Sequence, residues 1–229
     1  MPAPSWTPVP PRYRETLAAL HTVAEHIAAA ARYRAVGRIG LQPVRGGFGT
    51  PLIDDRWIEI LGTDLVVRSE TGEVQSEPIT TLRSAGTFVG VEPGLPAGIY
   101  PPATPLDLDA GLEVDPDAAT AIADWFNLAN EALGAFAAAH SEEKPSDATL
   151  WPEHFDLARS LAEVNYGASP GDDGHDGPYL YVGPWTPRRG SFWNEAFGAS
   201  VSGAAVADVA SAVAFFAEGY AAAAADPST

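Results

Sequence analysis

The order in which helical and extended patterns follow one another most constrains the fold of this chain. Apolar residues recur at helical spacing from Tyr13 to about Arg34, and two short extended runs follow, Trp57–Leu61 and Leu65–Arg68. Two further helical patterns and a pair of extended runs complete the chain. Because strands and helices do not alternate as parallel βαβ units require, we expect an α+β fold with an antiparallel sheet.

Three main helices are expected to cover this sheet. The first is the helix predicted from Tyr13 to about Arg34. The second is predicted to begin at Pro116, because Asp115 before it is a good N-cap, and to reach His140. The third begins at about Ser202. A shorter helix is expected within Pro78–Phe88.

The strands are expected to form an N-terminal meander and a C-terminal hairpin. Glu70–Glu73 has the composition of a hairpin turn after the second extended run. Further along, Phe155–Tyr166 and Tyr179–Trp185 are predicted as two long strands, which the twelve-residue loop Gly167–Pro178 joins. The glycine-rich stretch Arg45–Pro51 is predicted as a strand bend.

A chain of 229 residues is long enough for one well-buried core. We expect a flexible N-terminal lead at residues 1–11 and a single α+β domain at residues 12–226. That domain divides naturally into two halves, 12–90 and 115–226, joined by a proline-rich crossing segment that also carries enough apolar residues to be ordered.

Charge and composition exclude several classes of function. The formal net charge of −17 repels phosphate backbones and anionic bilayers, so we expect neither nucleic acid nor a membrane as partner. The absence of Cys excludes disulfides, thiolate nucleophiles and Cys-ligated zinc. The first residues lack a basic region followed by an apolar run, so a cytoplasmic location is expected. Oligomeric state is not indicated.

Three segments in the C-terminal third resemble an uncharacterised family of bacterial proteins, a domain of unknown function. They read W-P-E-H-F-D-L-A from Trp151, N-Y-G-A-S-P-G-D from Asn165 and P-Y-L-Y-V-G-P-W from Pro178. No activity and no catalytic residues come with this resemblance.

The predicted hairpin carries aromatic residues opposite small ones. Strict alternation, with Tyr166 paired to Tyr179, would place His154, Asp156 and Tyr166 on one face with Tyr179, Tyr181 and Trp185. Ordinary core packing explains such a stripe as well as a ligand pocket does. The candidate ligand-binding residues are Tyr166, Tyr179, Tyr181, Trp185, Arg188 and Trp193.

Two further patterns offer chemistry. Asp172, Asp173 and Asp176 alternate with glycines, as ligands of a hard divalent cation would, although a solvated hairpin loop has the same composition. A His beside carboxylates can act as a general base, which makes His154, Asp156 and Glu153 catalytic candidates. His21, Glu25 and His26 lie off the apolar stripe of the first helix and are expected to be solvated.

These patterns support two functional hypotheses. The first is a noncatalytic module that binds a small ligand or a protein partner through the aromatic and acidic hairpin. The second is a hydrolase or isomerase that uses His154 with Asp156 or Glu153, with a divalent cation at the aspartate loop. No other cofactor is evident from the sequence.

Overall fold

The computed structural model describes residues 4–225, which form two compact units. The first unit consists of Val9–Asp124 and Leu150–Phe155, and the second of Trp125–Thr149, the residues from Asp156 onward and the N-terminal residues up to Pro8. Both combine helices with antiparallel strands, which confirms the α+β class. A single domain over residues 12–226 stays a prediction.

The first unit begins with the helical stretch that the apolar stripe predicted. It consists of α1 (Tyr13–Val23), a π-helical segment (Ala24–Ala29) and α2 (Ala30–Val36). All six residues of the π-helical segment are buried, including Glu25 and His26. The expectation that these two side chains are solvated is therefore wrong, because the proline-rich segment packs on this side of the helix.

A five-stranded antiparallel meander follows. Its strands are β1 (Gln42–Val44), β2 (Gly47–Gly49), β3 (Arg56–Leu61), β4 (Asp64–Ser69) and β5 (Val74–Pro78). The Ser69 amide donates to the Glu73 carbonyl at 2.9 Å, which confirms the predicted turn. The predicted bend contains β2, where a Cβ on Gly47 would lie 1.7 Å from the Ile60 carbonyl oxygen, so glycine alone fits.

A short helix, an irregular segment and the beginning of a long helix complete the first unit. Helix α3 (Leu82–Val89) begins four residues after the predicted start at Pro78, because Pro78 belongs to β5 and the Thr81 hydroxyl caps the helix by accepting from the Ser84 amide. The segment 91–114 has neither helix nor strand, but hydrogen bonds fix it near both ends. The Gly94 amide donates to the His26 carbonyl and the Leu112 amide donates to the Thr80 carbonyl, both at 2.8 Å. Helix α4 (Pro116–Ala139) follows, with Asp115 as its N-cap as predicted.

The second unit places α4 residues from Trp125 onward and a last helix, α5 (Val209–Ala225), on one face of its strands. After β6 (Thr149–Trp151), the strands are β7 (Asp156–Leu161), β8 (Val164–Ser169), β9 (Tyr179–Pro184) and β10 (Ala199–Ser202). β7 to β10 pair in chain order, all antiparallel. Each unit thus places a helix before a meander, although the sequence shows no repeat.

Two boundaries in this unit differ from the predictions. The run Phe155–Tyr166 is not one strand, because Ala162 and Glu163 have φ values of 50° and 60° and turn the chain between β7 and β8. Helix α5 begins at Val209 rather than Ser202, since Asp208 caps it by accepting from the Ser211 amide at 2.8 Å. In the same unit Trp6 is buried and donates its indole N–H to the Gly203 carbonyl, while the flexibility of residues 1–11 stays a prediction.

None of the helices between residues 4 and 225 is long and apolar enough to cross a membrane.

Candidate functional site

The strand register of the second unit defines two faces of its sheet. Tyr166 pairs with Val182, and Gly167 pairs with Tyr181. Because directly paired residues lie on the same face, Tyr166 lies on the face that packs against the helices. The other face, called the polar face here, carries Asp156, Ala158, Ser160, Asn165, Gly167, Ser169, Tyr179, Tyr181, Gly183 and Ser200.

Tyr181 lies flat across Gly167 on the polar face. A Cβ at Gly167 would fall 2.4 Å from the Tyr181 Cζ, so the ring occupies space that only glycine leaves free. The Tyr181 hydroxyl reaches over this glycine and donates to Asp156 Oδ2. Burial, followed by the charge of Asp156 and this hydrogen bond, raises the pKa of Tyr181 well above its ordinary value. Tyr181 is therefore a neutral phenol bound to a carboxylate.

A second phenol–carboxylate pair lies at the start of the same strand. The Tyr179 hydroxyl donates to Asp172 Oδ2 at 2.5 Å, while Asp172 Oδ1 accepts from the amides of Gly174 and His175 at 2.8 and 2.9 Å. Partial burial acts to raise the pKa of Asp172, but these hydrogen bonds together hold it below its ordinary value. Asp172 therefore fixes the loop before β9 as a carboxylate.

Four rings beside these carboxylates form a closed circuit, called the aromatic cluster here. His175 stacks on Tyr179 at 4.0 Å between centroids, and Tyr179 lies 6.2 Å from Tyr181. Phe197 closes the circuit at 6.4 Å from Tyr181 and 6.5 Å from His175. The His175 Nε2 atom also lies 3.5 Å from Glu195 Oε1. Phe197 is 45% exposed, so the cluster reaches the surface.

Trp185 lies just beyond the end of β9. Its indole N–H donates to Asn165 Oδ1 at 3.0 Å, and its amide donates to the Glu163 carbonyl at 2.9 Å. Asn165 Oδ1 also accepts from the Ser160 hydroxyl at 2.7 Å. The ring is nevertheless 62% exposed, so Trp185 is held in place while most of its surface meets water.

The structure corrects the predicted position of Tyr166. The prediction paired it with Tyr179 on one face, whereas Ser169 is the partner of Tyr179 and Tyr166 lies on the opposite face. Tyr166 is 0% exposed, and its ring lies 4.6 Å from that of Phe136. The turn between β7 and β8 causes the difference, because it pairs Leu161 with Val164 and so reverses the alternation assumed through the run.

The remaining candidate ligand-binding residues lie in the connection from β9 to β10. Arg188 is half-buried there, and Arg189 is exposed. Trp193 is half-buried with its ring 5.0 Å from Phe192, which in turn lies 5.5 Å from Phe215 of α5. The Asn194 side chain bonds both the amide and the carbonyl of Ser200, and so closes the outer edge of β10.

The three candidate metal ligands differ in their surroundings. Asp172 uses both oxygens for the loop hydrogen bonds described above, while Asp173 and Asp176 are exposed. Among the residues that the structure describes, no group of three or more His, Cys, Asp or Glu side chains is placed to hold a metal ion.

His154 and Glu153 belong to the first unit, in the turn that precedes β7. The alternation assumed through His154 does not apply there, because Phe155 has a φ of 50°. The charge of Glu153 contributes to raising the pKa of Tyr100, and the charge of His154 contributes to lowering the pKa of His21. Burial lowers the pKa of His21 and outweighs the opposing effect of the Glu25 charge. The Nε2 atom of His21 donates to the Pro152 carbonyl at 2.8 Å. These two candidates therefore lie near a His–Glu pair of α1 and the π-helical segment.

Several residues of the polar face and of its rim carried no signal in the sequence. Phe197 and Glu195 lie in an irregular connection without periodicity, and His175 was visible only as part of an acidic loop. Asn165 follows a turn that the sequence did not reveal. Pairing across β8, β9 and β10 is what brings these residues together.

Comparison with protein-family models, with curated proteins and with solved structures finds no match for this chain. The resemblance to an uncharacterised bacterial family therefore stays a prediction.

Proposed function

We propose that this protein is a noncatalytic binding module and that the polar face, with the aromatic cluster and Trp185, is its binding surface. The observation that carries the proposal is the exposure of Trp185, 62%, in a side chain fixed through Asn165. A large ring that is held in place yet open to water is ready to bury apolar area on binding, with little loss of conformational freedom.

The neighbouring side chains support a surface that is formed before its ligand arrives. Tyr179 and Tyr181 are each fixed by a carboxylate, and Phe197 is fixed by its ring contacts. Aromatic anchors of this kind provide most of the binding free energy at protein interfaces. The carboxylates already accept hydrogen bonds within the fold, which suits positioning of the rings better than proton transfer.

The test follows the indole N–H resonance of Trp185 in ¹H–¹⁵N spectra. The labelled protein is titrated with mixtures of amino acids, short peptides, nucleotides and sugars. We expect at least one compound to shift Trp185 together with backbone amides of β9, and we expect Trp185→Ala to abolish that binding. Trp151→Ala, 39% exposed in the first unit, is the matched control and should bind normally. Shifts confined to other residues, or none at all, would contradict the proposal.

A second candidate function is the hydrolase or isomerase. It is favoured by Glu153, whose Oε2 is buried and accepts no hydrogen bond from any residue that the structure describes. An unpartnered buried carboxylate oxygen is costly and is typical of functional groups. His154 beside it is exposed and accessible to substrate. Activity on a panel of esters, amides and phosphoesters that disappears in both Glu153→Gln and His154→Ala would support this candidate.

The divalent cation at the aspartate loop has its own test. A metal bound only by the folded state raises the melting temperature by mass action. If the melting temperature does not move with millimolar Ca²⁺, Mg²⁺, Mn²⁺ or Zn²⁺, the metal-dependent form of the second candidate is removed.

We further propose a cytoplasmic location in a bacterial cell and a small molecule or a protein as partner, without nucleic acid. The net charge of −17 supports the exclusion of nucleic acid, because it opposes any polyanion.

A further inference from the structure

We propose that the partner is a protein and that it presents an arginine side chain to the aromatic cluster. This inference rests on the proposed function and adds the chemical class of the ligand.

Charge complementarity selects a cationic ligand. Three carboxylates border the cluster. Asp156 accepts a hydrogen bond from Tyr181, Asp172 accepts one from Tyr179, and Glu195 lies beside His175. Asp172 and Glu195 are partly exposed, so their negative potential reaches solvent. Arg188 and Arg189, the two positive side chains in the connection that follows β9, each already interact with another group. The net charge of −17 adds a long-range attraction for a basic partner.

The ring geometry suits a cation as well. Tyr181 and Phe197 meet edge to face at an interplanar angle of 87°, and of these two rings Phe197 is 45% exposed while Tyr181 is half-buried. A guanidinium or ammonium group beside aromatic rings is attracted by the negative face of each ring. A phenol that donates a hydrogen bond to a carboxylate carries more electron density on its ring than a free phenol, so the bond to Asp156 strengthens this attraction at Tyr181.

Arginine fits better than lysine or a small free cation. Its planar guanidinium stacks on rings, which a compact ammonium does not. It also donates charge-assisted hydrogen bonds to carboxylates, and Glu195, whose Oε1 accepts from the Ser200 hydroxyl at 2.9 Å, is the partly exposed acceptor beside the cluster. Sites for small molecules enclose most of the ligand. Here Phe197 and Trp185 are 45% and 62% exposed, which suits a partner that covers the rings from outside with its own surface.

The experiment measures binding of a blocked nonapeptide with three arginines spaced by glycine and serine, by calorimetry in low salt. Its matched probes replace each arginine by citrulline, which keeps the shape and removes the charge, or by glutamate. We expect the arginine peptide to bind and the other two to fail. Phe197→Ala and Glu195→Gln should each weaken binding about tenfold, while Trp151→Ala leaves it unchanged. Phe197 is exposed enough that truncation preserves folding.

Three outcomes would overturn the inference. They are equal binding of the citrulline peptide, equal binding of free arginine amide and the peptide, and unchanged binding in Phe197→Ala. If neutral compounds shift Trp185 in the spectra while the arginine peptide does not bind, the inference fails and the proposed function stands. If nothing shifts Trp185 and no peptide binds, both fail.

Discussion

Glu25 is the single residue with the largest consequence for the order of the proline-rich segment. Its side chain is 1% exposed, and its two oxygens accept from the amides of Ala103 and Thr104 at 3.0 and 2.8 Å. The Thr104 hydroxyl adds a third bond at 2.6 Å. Buried carboxylates persist where hydrogen bonds replace their lost hydration. Glu25 thus substitutes for the backbone partners that an irregular segment lacks.

Replacing this carboxylate should destabilise the protein strongly. Glu25→Gln keeps the shape but turns one acceptor into an N–H₂ donor facing the N–H groups of the segment, which leaves buried donors unpaired. We expect the free energy of unfolding to fall by about 2–3 kcal/mol, measured by urea denaturation. Glu15→Gln, exposed in the first turn of α1, is the control and should change little. An equal loss in both variants would show that Glu25 does not anchor the segment.

At the scale of elements, the hairpin of β7 and β8 shows where strand prediction fails. Ala162 and Glu163 form a two-residue turn with both residues in the left-handed region, a conformation usually taken by Asn-Gly or Asp-Gly. No glycine or asparagine marks it, so the run was predicted as continuous. Alternation was correct for Asp156 in β7 and for Tyr179 and Tyr181 in β9, because those residues lie within single strands. It failed for Tyr166, beyond the turn.

Relieving the backbone strain in this turn should stabilise the protein. Glycine adopts a φ of 50° without the steric cost that the Cβ of alanine brings. We expect Ala162→Gly to raise the free energy of unfolding by about 1 kcal/mol. The same substitution at Ala135, exposed within α4, should lower it by about 1 kcal/mol. Loss of stability in Ala162→Gly would contradict the strain argument.

At the scale of the whole molecule, the long helices and the α+β class were predictable, and most of the candidate site was not. Helices such as α4 repeat their pattern over many turns, so their signal accumulates. The polar face instead combines Asp156, Gly167, Tyr181 and Phe197 from separate strands and loops. Burial of Glu25 depends in the same way on a segment far along the chain. Such juxtapositions follow from register and packing, which one sequence does not specify.

Stability of the whole molecule should fall in acid. Hydrogen bonds lower the pKa of four carboxyls below their ordinary values. The donors are Arg83 for Asp109, His140 and Tyr220 for Glu143, and Ser211 for Asp208. At Asp172 partial burial acts to raise the pKa, but the hydrogen bond from Tyr179 and the others to this carboxylate outweigh it. A carboxyl whose folded pKa is depressed takes up its proton more readily when unfolded. Its contribution is therefore complete above the unfolded pKa, about 4, and is lost as the pH falls through the folded pKa.

The measurement is the urea midpoint between pH 6 and pH 2.5. We expect a plateau above about pH 5 and a decline below about pH 4. Asp109→Asn, which loses its pairing with Arg83 at 2.7 Å, should flatten part of that decline. Asp173→Asn changes the net charge equally at an exposed position and should leave the profile unaltered. A midpoint that rises steadily into acid would show that relief of the net negative charge outweighs these bonds.

The chain-order pairing of β1–β5 and of β7–β10 bears on how the polypeptide is made. A ribosome adds about 5–20 residues per second, whereas a hairpin closes in about 1–10 μs. Each strand therefore finds its partner already synthesised and pairs with it long before the next strand leaves the exit tunnel. While each meander grows, only its first and newest strands have an unpaired edge, so few backbone groups are open to neighbouring nascent chains on the same messenger.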